Sequence, residues 1–281
     1  MSDAGLNAAR EKAGTPASIW ENPLLRRVAS ALVLVWQGGW ILAAWIVAVG
    51  ARMAFEWERL VDARGLSPAF AVHAGTVAAA VILTLKHEPL GALAAIAIGT
   101  LAGMALAFTE KRDPLWPLAG IPYIALPSMA FMWVSALEPW GMATILWMLF
   151  TVWATDSGAW LVGKLLGGPK LWPSLSPKKT WAGSLGGLLF AGLFGFLVAW
   201  AVGAPAPLVA GLVSLPMSLI GQGGDLVESA LKRRFHAKDA GTIIPGHGGV
   251  LDRLDSQLAV ALATAILILV VPQGPLGLPF E

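Results

Sequence analysis

The chain has 281 residues, 57% of them hydrophobic and 13% charged, against about a quarter charged in an ordinary soluble domain. Most of it cannot face water, which excludes a soluble globular protein. The formal net charge is only +2, no nucleic-acid partner is expected, and with no cysteine disulfides, thiolate catalysis and cysteine-bound metal are ruled out.

Residues 1–27 are polar and mixed in charge and are expected to form a cytoplasmic N-terminal tail. No small-residue cleavage site follows the first apolar run, so a removable signal peptide is not expected. Residues 28–281 read as a single transmembrane catalytic domain, all-α and polytopic, with about seven to nine membrane helices. The stretch 28–55 is too short for two full crossings at about 20 residues each. Gly38 and Gly39 mark a turn in its middle, which predicts a short hairpin or re-entrant segment. The alternative, one crossing with an extracytoplasmic N-terminus, breaks the charge rule.

Further along, apolar runs able to cross a hydrocarbon core of about 30 Å lie at 69–85, 90–108, 116–136, 140–162, 182–203, 207–221 and 254–271. Pro122 and Pro127 fall within one run and predict a kinked helix. The loop holding Lys111 and Arg112 and the loops 163–181 and 222–255 are basic, whereas those near Glu88, Glu138 and 203–207 are nearly uncharged. The basic loops are expected on the cytoplasmic side.

An ionisable group at membrane depth is costly enough that it commonly lines a site or pairs with another charge. Asp156 stands inside an otherwise apolar run, so it is a site candidate, with a salt bridge to a lysine on a neighbouring helix as the alternative. The densest polar stretch runs from Gly224 to Asp255 and contains Asp225, Glu228, Ser229, Lys232, Arg233, Lys238, Asp239, His247, Gly248, Gly249, Asp252, Arg253 and Asp255. Glycines around a histidine let backbone amides approach phosphate oxygens. Carboxylates then hold a divalent metal while lysines and arginines neutralise phosphates. Asp225 and Asp252 are the expected metal ligands. Asp255 and Glu228 each lie one helical turn away, on the same face as Asp252 and Asp225 respectively, and are alternative or supporting ligands. His247 reads as a phosphate donor, a base or a packed loop residue; His73, His87 and His236 are given no role.

A second basic segment, Ser176, Pro177, Lys178, Lys179, Thr180 and Trp181, precedes a glycine-rich helix start at Gly183, Ser184, Gly186 and Gly187. Lysines beside such a start suit a polyanion, although topology alone would also place two lysines there.

Together these residues resemble the CDP-diacylglycerol synthase, or phosphatidate cytidylyltransferase, family. Its signature is carried here by Ser229, Leu231, Lys232, Arg233, Lys238, Asp239, Gly241, Pro245, His247, Gly248, Gly249, Asp252, Arg253 and Asp255. Upstream elements are Asp156 with Gly158 and Ala159, the Ser176–Trp181 loop, and Gly224, Asp225, Leu226 and Glu228. The likeness is good from Trp116 to about Val260 and faint before, where it rests on Glu56 and Trp57. Two departures are Ala182, where many members carry a glutamate, and the shortness of the first apolar region.

The resemblance implies a nucleotidyltransferase of phospholipid biosynthesis: CTP and phosphatidic acid give CDP-diacylglycerol and pyrophosphate, with magnesium required and a second cation allowed. It also implies a homodimer in the bacterial inner membrane with its active site on the cytoplasmic face. By the same resemblance Asp225 and Asp252 bind metal. Lys178, Lys179, Lys232, Arg233 and Lys238 contact phosphates, beside Asp239, Ser176, Thr180, Ser229 and Arg253, and His247, Gly248 and Gly249 shape the nucleotide pocket. Within the enzymes the rival is a CTP-dependent polyprenol or phytol-type lipid kinase, which would release CDP. A rival of another class is an ion-coupled transporter, suggested by Asp156 and the broken helices. It is disfavoured because the polar residues cluster at one face, not at the midplane.

Overall fold

The computed structural model describes residues 37–241 and 248–277. Within them, helices form wherever the apolar runs predict them: α1 Gly39–Asp62, α2 Pro68–Leu85, α3 Pro89–Thr109, α4 Leu115–Ser135, α5 Gly141–Leu166, α6 Trp181–Ala201, α7 Pro207–Arg234 and α8 Leu251–Val270. All eight are long and apolar enough to cross a membrane. Leucines and isoleucines such as Ile98, Leu101, Leu189, Leu193 and Leu269 point outward along them, a surface that only lipid would cover. The protein is an integral membrane protein.

Local signals set several helix starts. Proline occupies the first position of α2, α3 and α7, where its missing N–H costs nothing and its fixed φ suits the helix. The Ser67 hydroxyl accepts from Phe70 N at 3.2 Å and caps α2. Thr180 does the same for α6, accepting from Gly183 N at 3.1 Å. Pro122 and Pro127 lie inside the continuous α4.

Three differences from the sequence-based expectation bear on function. Gly38 and Gly39 have φ of 62° and 50°, but from Gly39 a 24-residue helix reaches Asp62, long and apolar enough to cross a membrane where one arm of a short hairpin was expected. Residues 28–36 lie outside the described residues. Secondly, 222–234 is not loop: α7 continues through it for about three more turns and ends at Arg234. Asp225, Glu228, Ser229 and Lys232 therefore share one helical face. Thirdly, the loop before α6 folds into two short antiparallel strands, β1 Lys170–Trp172 and β2 Ser176–Thr180, with Lys170 opposite Thr180 and Trp172 opposite Ser176.

The apolar core lies between the helices around Trp57, Ile121, Ile124, Trp147, Met148 and Leu251, all buried. A separate polar node ties α1 and α2 to the α3–α4 turn. Arg112 reaches Asp62 at 3.1 Å and Glu110 at 2.9 Å, while Glu58 lies 3.3 Å from His73 Nδ1. With Arg64 on Glu110 at 3.0 Å and Trp116 packed on Phe235 at 4.6 Å between ring centroids, the ends of α1, α3 and α7 gather at one pole of the bundle. The active-site candidates lie at that same pole.

Candidate active site

Small residues let α5 and α6 pack nearly backbone to backbone. A Cβ on Gly183 would come within 2.8 Å of the Ala159 carbonyl, and one on Gly186 within 2.4 Å of Val162 Cβ. Close approach through small residues is the usual way membrane helices associate without a hydrophobic driving force. The glycines after Trp181 thus serve packing, and Gly183 also lines a cavity beside Lys179 and Thr180. Their effect is to hold the β2 strand and the end of α5 around that cavity of about 370 Å³, lined by Thr155, Asp156, Trp160, Lys164, Lys178, Lys179, Thr180, Ser184, Gln222 and Asp225. That volume falls in the range of small-molecule sites.

Asp225 stands at the wall of this cavity. Its Oδ2 is 2.6 Å from Lys179 Nζ, and Ser229 donates to Oδ1 at a longer 3.4 Å. Gln222, one turn earlier, accepts from the Ser184 hydroxyl at 2.6 Å and donates to the Ser184 carbonyl and to Ser218 at 3.3 Å each. That arrangement pins α7 to the start of α6, next to Asp225. Below it, Thr155 donates to Ser218 at 2.9 Å, continuing the polar seam between α5 and α7.

A second group is built around Asp252, in the first turn of α8. Its Oδ1 takes Lys232 Nζ at 2.8 Å; the amide of Ala240 donates at 2.9 Å and that of Gly249 at 2.7 Å, both to Oδ2. Lys232 is also ion-paired with Glu228, whose side chain is almost fully buried. Asp252 therefore ties Ala240 and Gly249 to α7 and α8. Gly248 needs its glycine, since it adopts φ of 79° and a Cβ there would meet Asp252 Oδ2 at 3.0 Å. Asp255 is buried one turn on, and its Oδ1 accepts from Ser256 N at 2.6 Å. Gly224 lets α8 approach closely, since a Cβ there would be 2.8 Å from the Asp255 carbonyl.

The structure thus brings Asp156, Lys178, Lys179, Thr180 and Asp225 to one cavity, and Glu228, Lys232, Gly249 and Asp252 to one adjoining knot. Ser176 opens β2, and Ser229 lies beside Asp225. Arg233, Lys238 and Asp239 are exposed at the rim, and Arg253 is exposed on α8. His247 lies outside the described residues.

Two residues were given no role by the sequence. Glu56, fully buried on α1, accepts from Val250 N at 2.9 Å and Leu251 N at 2.7 Å and is held by Arg52 at 2.8 Å. It caps the N-terminus of α8 from another helix, where a carboxylate is favoured. The Glu56–Trp57 pair in the faint early likeness was its one sequence signal. Gln222 had no comparable signal.

Among the described residues no three acidic or imidazole side chains form a ready cage for a cation. A magnesium–nucleotide site needs none, because magnesium commonly takes one or two carboxylates and completes its shell with water and phosphate oxygens. Asp225 and Asp156, hard oxygen donors on one cavity, fit that requirement. Asp252, which does not line that cavity, is engaged by Lys232 and two amides.

The model of the cytidylyltransferase family matches residues 25–271. The chain belongs to that family. Its relatives include the phosphatidate cytidylyltransferase of Brucella suis, 38% identical over 233 residues, covering 82% of this chain and 85% of the relative. The phosphatidate cytidylyltransferase of Bacillus subtilis is 46% identical over 131 residues, 46% of this chain and 49% of that one. The Staphylococcus haemolyticus protein of the same name is 41% identical over 147 residues, 52% and 56% of the two chains. In this cytidylyltransferase-family member, three lysines and two carboxylates line one cavity at the end of the bundle.

Proposed function

We propose that the protein is a phosphatidate cytidylyltransferase, joining CTP to phosphatidic acid to give CDP-diacylglycerol and pyrophosphate at the cytoplasmic face of a bacterial inner membrane. The observation that carries this reading is the cavity in which Lys164, Lys178 and Lys179 face Asp156 and Asp225 at the end of a membrane-helix bundle. The names of its relatives supply the substrates. The cytoplasmic side is inferred from the basic loops gathered at the same pole.

In this reading Lys178 and Lys179 receive the triphosphate, and the Lys179–Asp225 pair opens as phosphate oxygens take the ammonium. An oxygen of the phosphatidate phosphate forms a bond to the α-phosphorus of CTP while the bond from that phosphorus to the bridging oxygen breaks, its electron pair leaving with pyrophosphate. The attacking phosphate is already ionised near neutral pH, so no strong general base is required, and positioning with charge neutralisation supplies most of the rate. Magnesium held by Asp225 with Asp156 would add neutralisation of the phosphate oxygens. The Asp252–Lys232–Glu228 knot holds Ala240 and Gly249 next to the start of α8.

The test is purified protein with magnesium, phosphatidic acid and α-labelled CTP. Label entering lipid in step with pyrophosphate, and lost in Asp225→Asn, is expected. CDP formed without labelled lipid would move the assignment to a lipid kinase.

A further inference from the structure

Along the last turns of α5, Asp156, Trp160 and Lys164 recur every four residues, a spacing that puts them on one helical face. All three line the cavity that also holds Lys178, Lys179 and Asp225. Trp160 is the one aromatic side chain among the described residues of that lining, and it is 65% exposed. The Lys164 ammonium lies 5.0 Å from the centroid of its ring, so one π-face of the indole is turned toward a group of the cavity and not into the apolar core. Leu171, which β1 contributes from the hairpin, is the other large apolar residue of the lining.

We infer that Trp160 holds the base of the nucleotide by stacking, about 6 Å of helix from Asp156, while the triphosphate lies toward Lys178 and Lys179. The inference rests on the proposed reaction and specifies its nucleotide side. A triphosphate has no use for an indole, and an acyl chain needs apolar walls that this lysine-lined space lacks. A nucleobase is planar, carries a π-face and is joined to its phosphates through a ribose, so it calls for an aromatic surface in the same cavity as the lysines. Trp160 provides that surface. Anchoring at the membrane interface is the ordinary role of an exposed tryptophan. It would explain the exposure, but not a place in the wall of a charged cavity, one turn from Asp156 and with Lys164 over the ring.

Equilibrium binding to the detergent-purified protein in magnesium tests this. Labelled CTP is one probe, and inorganic tripolyphosphate, which has the phosphates without the base, is the other. Trp160→Ala is expected to weaken CTP binding by about tenfold or more, the scale of one base stacked on an aromatic side chain. Tripolyphosphate should bind the variant as it binds wild type, which also shows that the variant folds. Trp160→Phe should restore most of the affinity for CTP. Trp200→Ala removes a tryptophan of similar exposure, 67%, from the C-terminal end of α6 and should leave both affinities unchanged.

Unchanged CTP binding in Trp160→Ala overturns the inference, since the base then lies elsewhere. An equal loss for CTP and tripolyphosphate also overturns it, because the indole would then only support the shape of the cavity. A loss of CTP matched by Trp200→Ala marks interfacial anchoring and overturns it as well. In turnover, Trp160→Ala should raise KM for CTP with little change in KM for phosphatidate, and a rise for phosphatidate alone would put the indole on the lipid side and sink the idea. CTP held through Trp160 by a protein that forms no CDP-diacylglycerol supports the inference and counts against the reaction alone.

Discussion

Glu56 caps Leu251 across 195 residues of sequence: its Oε2 accepts the Leu251 amide at 2.7 Å while Oε1 accepts that of Val250. The first described helix thereby fixes the N-terminus of the last one, right beside Asp252. Glu56→Ala would leave two buried amides and the Arg52 guanidinium without their acceptor. A loss of about 2–4 kcal/mol in stability is expected, read as a lower thermal midpoint in detergent, together with a fall in kcat. Glu56→Gln keeps one acceptor oxygen and should lie between. Wild-type stability in the alanine variant would remove Glu56 from any role in holding the site.

Lys179 and Asp225 are in direct contact, so their removal should not be additive. Lys179→Gln and Asp225→Asn are each expected to lower kcat/KM for CTP by about 10²-fold or more, the scale of a lost charge contact at a phosphoryl centre. The double variant should fall well short of the product of the two losses. Losses that multiply in full would mean that the two side chains act apart.

Activity should vanish on chelation of divalent cations and return with added magnesium. In a variant that retains measurable turnover, Asp225→Glu or Asp156→Glu, the magnesium concentration for half-maximal rate should rise. A metal requirement unmoved by changes at both residues would place the cation elsewhere.

Helix packing gives a prediction that needs no assay of the reaction. Gly186→Val drives a side chain into Val162, where even a Cβ has no room, and should cost about 1–3 kcal/mol as overpacking does. Gly223→Ala meets nothing within 4 Å and should be neutral or stabilising by up to about 1 kcal/mol, through helix propensity. Comparable midpoints for the two variants would contradict the α5–α6 packing described.

Asp252→Asn keeps the shape of the side chain but loses the charge facing Lys232 and one of its acceptor oxygens. Lys232→Met removes the other half and leaves Asp252 and Glu228 close to an apolar side chain. Both are expected to abolish most activity and to lower the thermal midpoint in detergent. Unchanged midpoints would show that the Lys232–Asp252 contact does not hold α7 to α8.

Hydropathy alone determined that this chain crosses a membrane many times, because a span of apolar residues has no other place to go, and the observed helices from α2 onward begin within a few residues of the apolar runs. The chemistry was legible for the same reason: acidic residues are so few beyond Glu138 that Asp156 and Asp225 stand out by position. Hydropathy failed where a helix leaves the apolar core. It closed α7 at 221, since a charged amphipathic extension reads as loop, although the helix continues to Arg234 and aligns Asp225, Glu228 and Lys232 on one face. Only the tertiary structure decided who meets whom. That Lys179 pairs with Asp225, that Asp252 is saturated by Lys232 and two amides, that Gln222 locks α7 to α6, and that Glu56 caps α8 all depend on contacts between segments far apart in the chain. Such pairings are set by how closely glycine-lined helices approach, a distance that no local pattern of residues encodes.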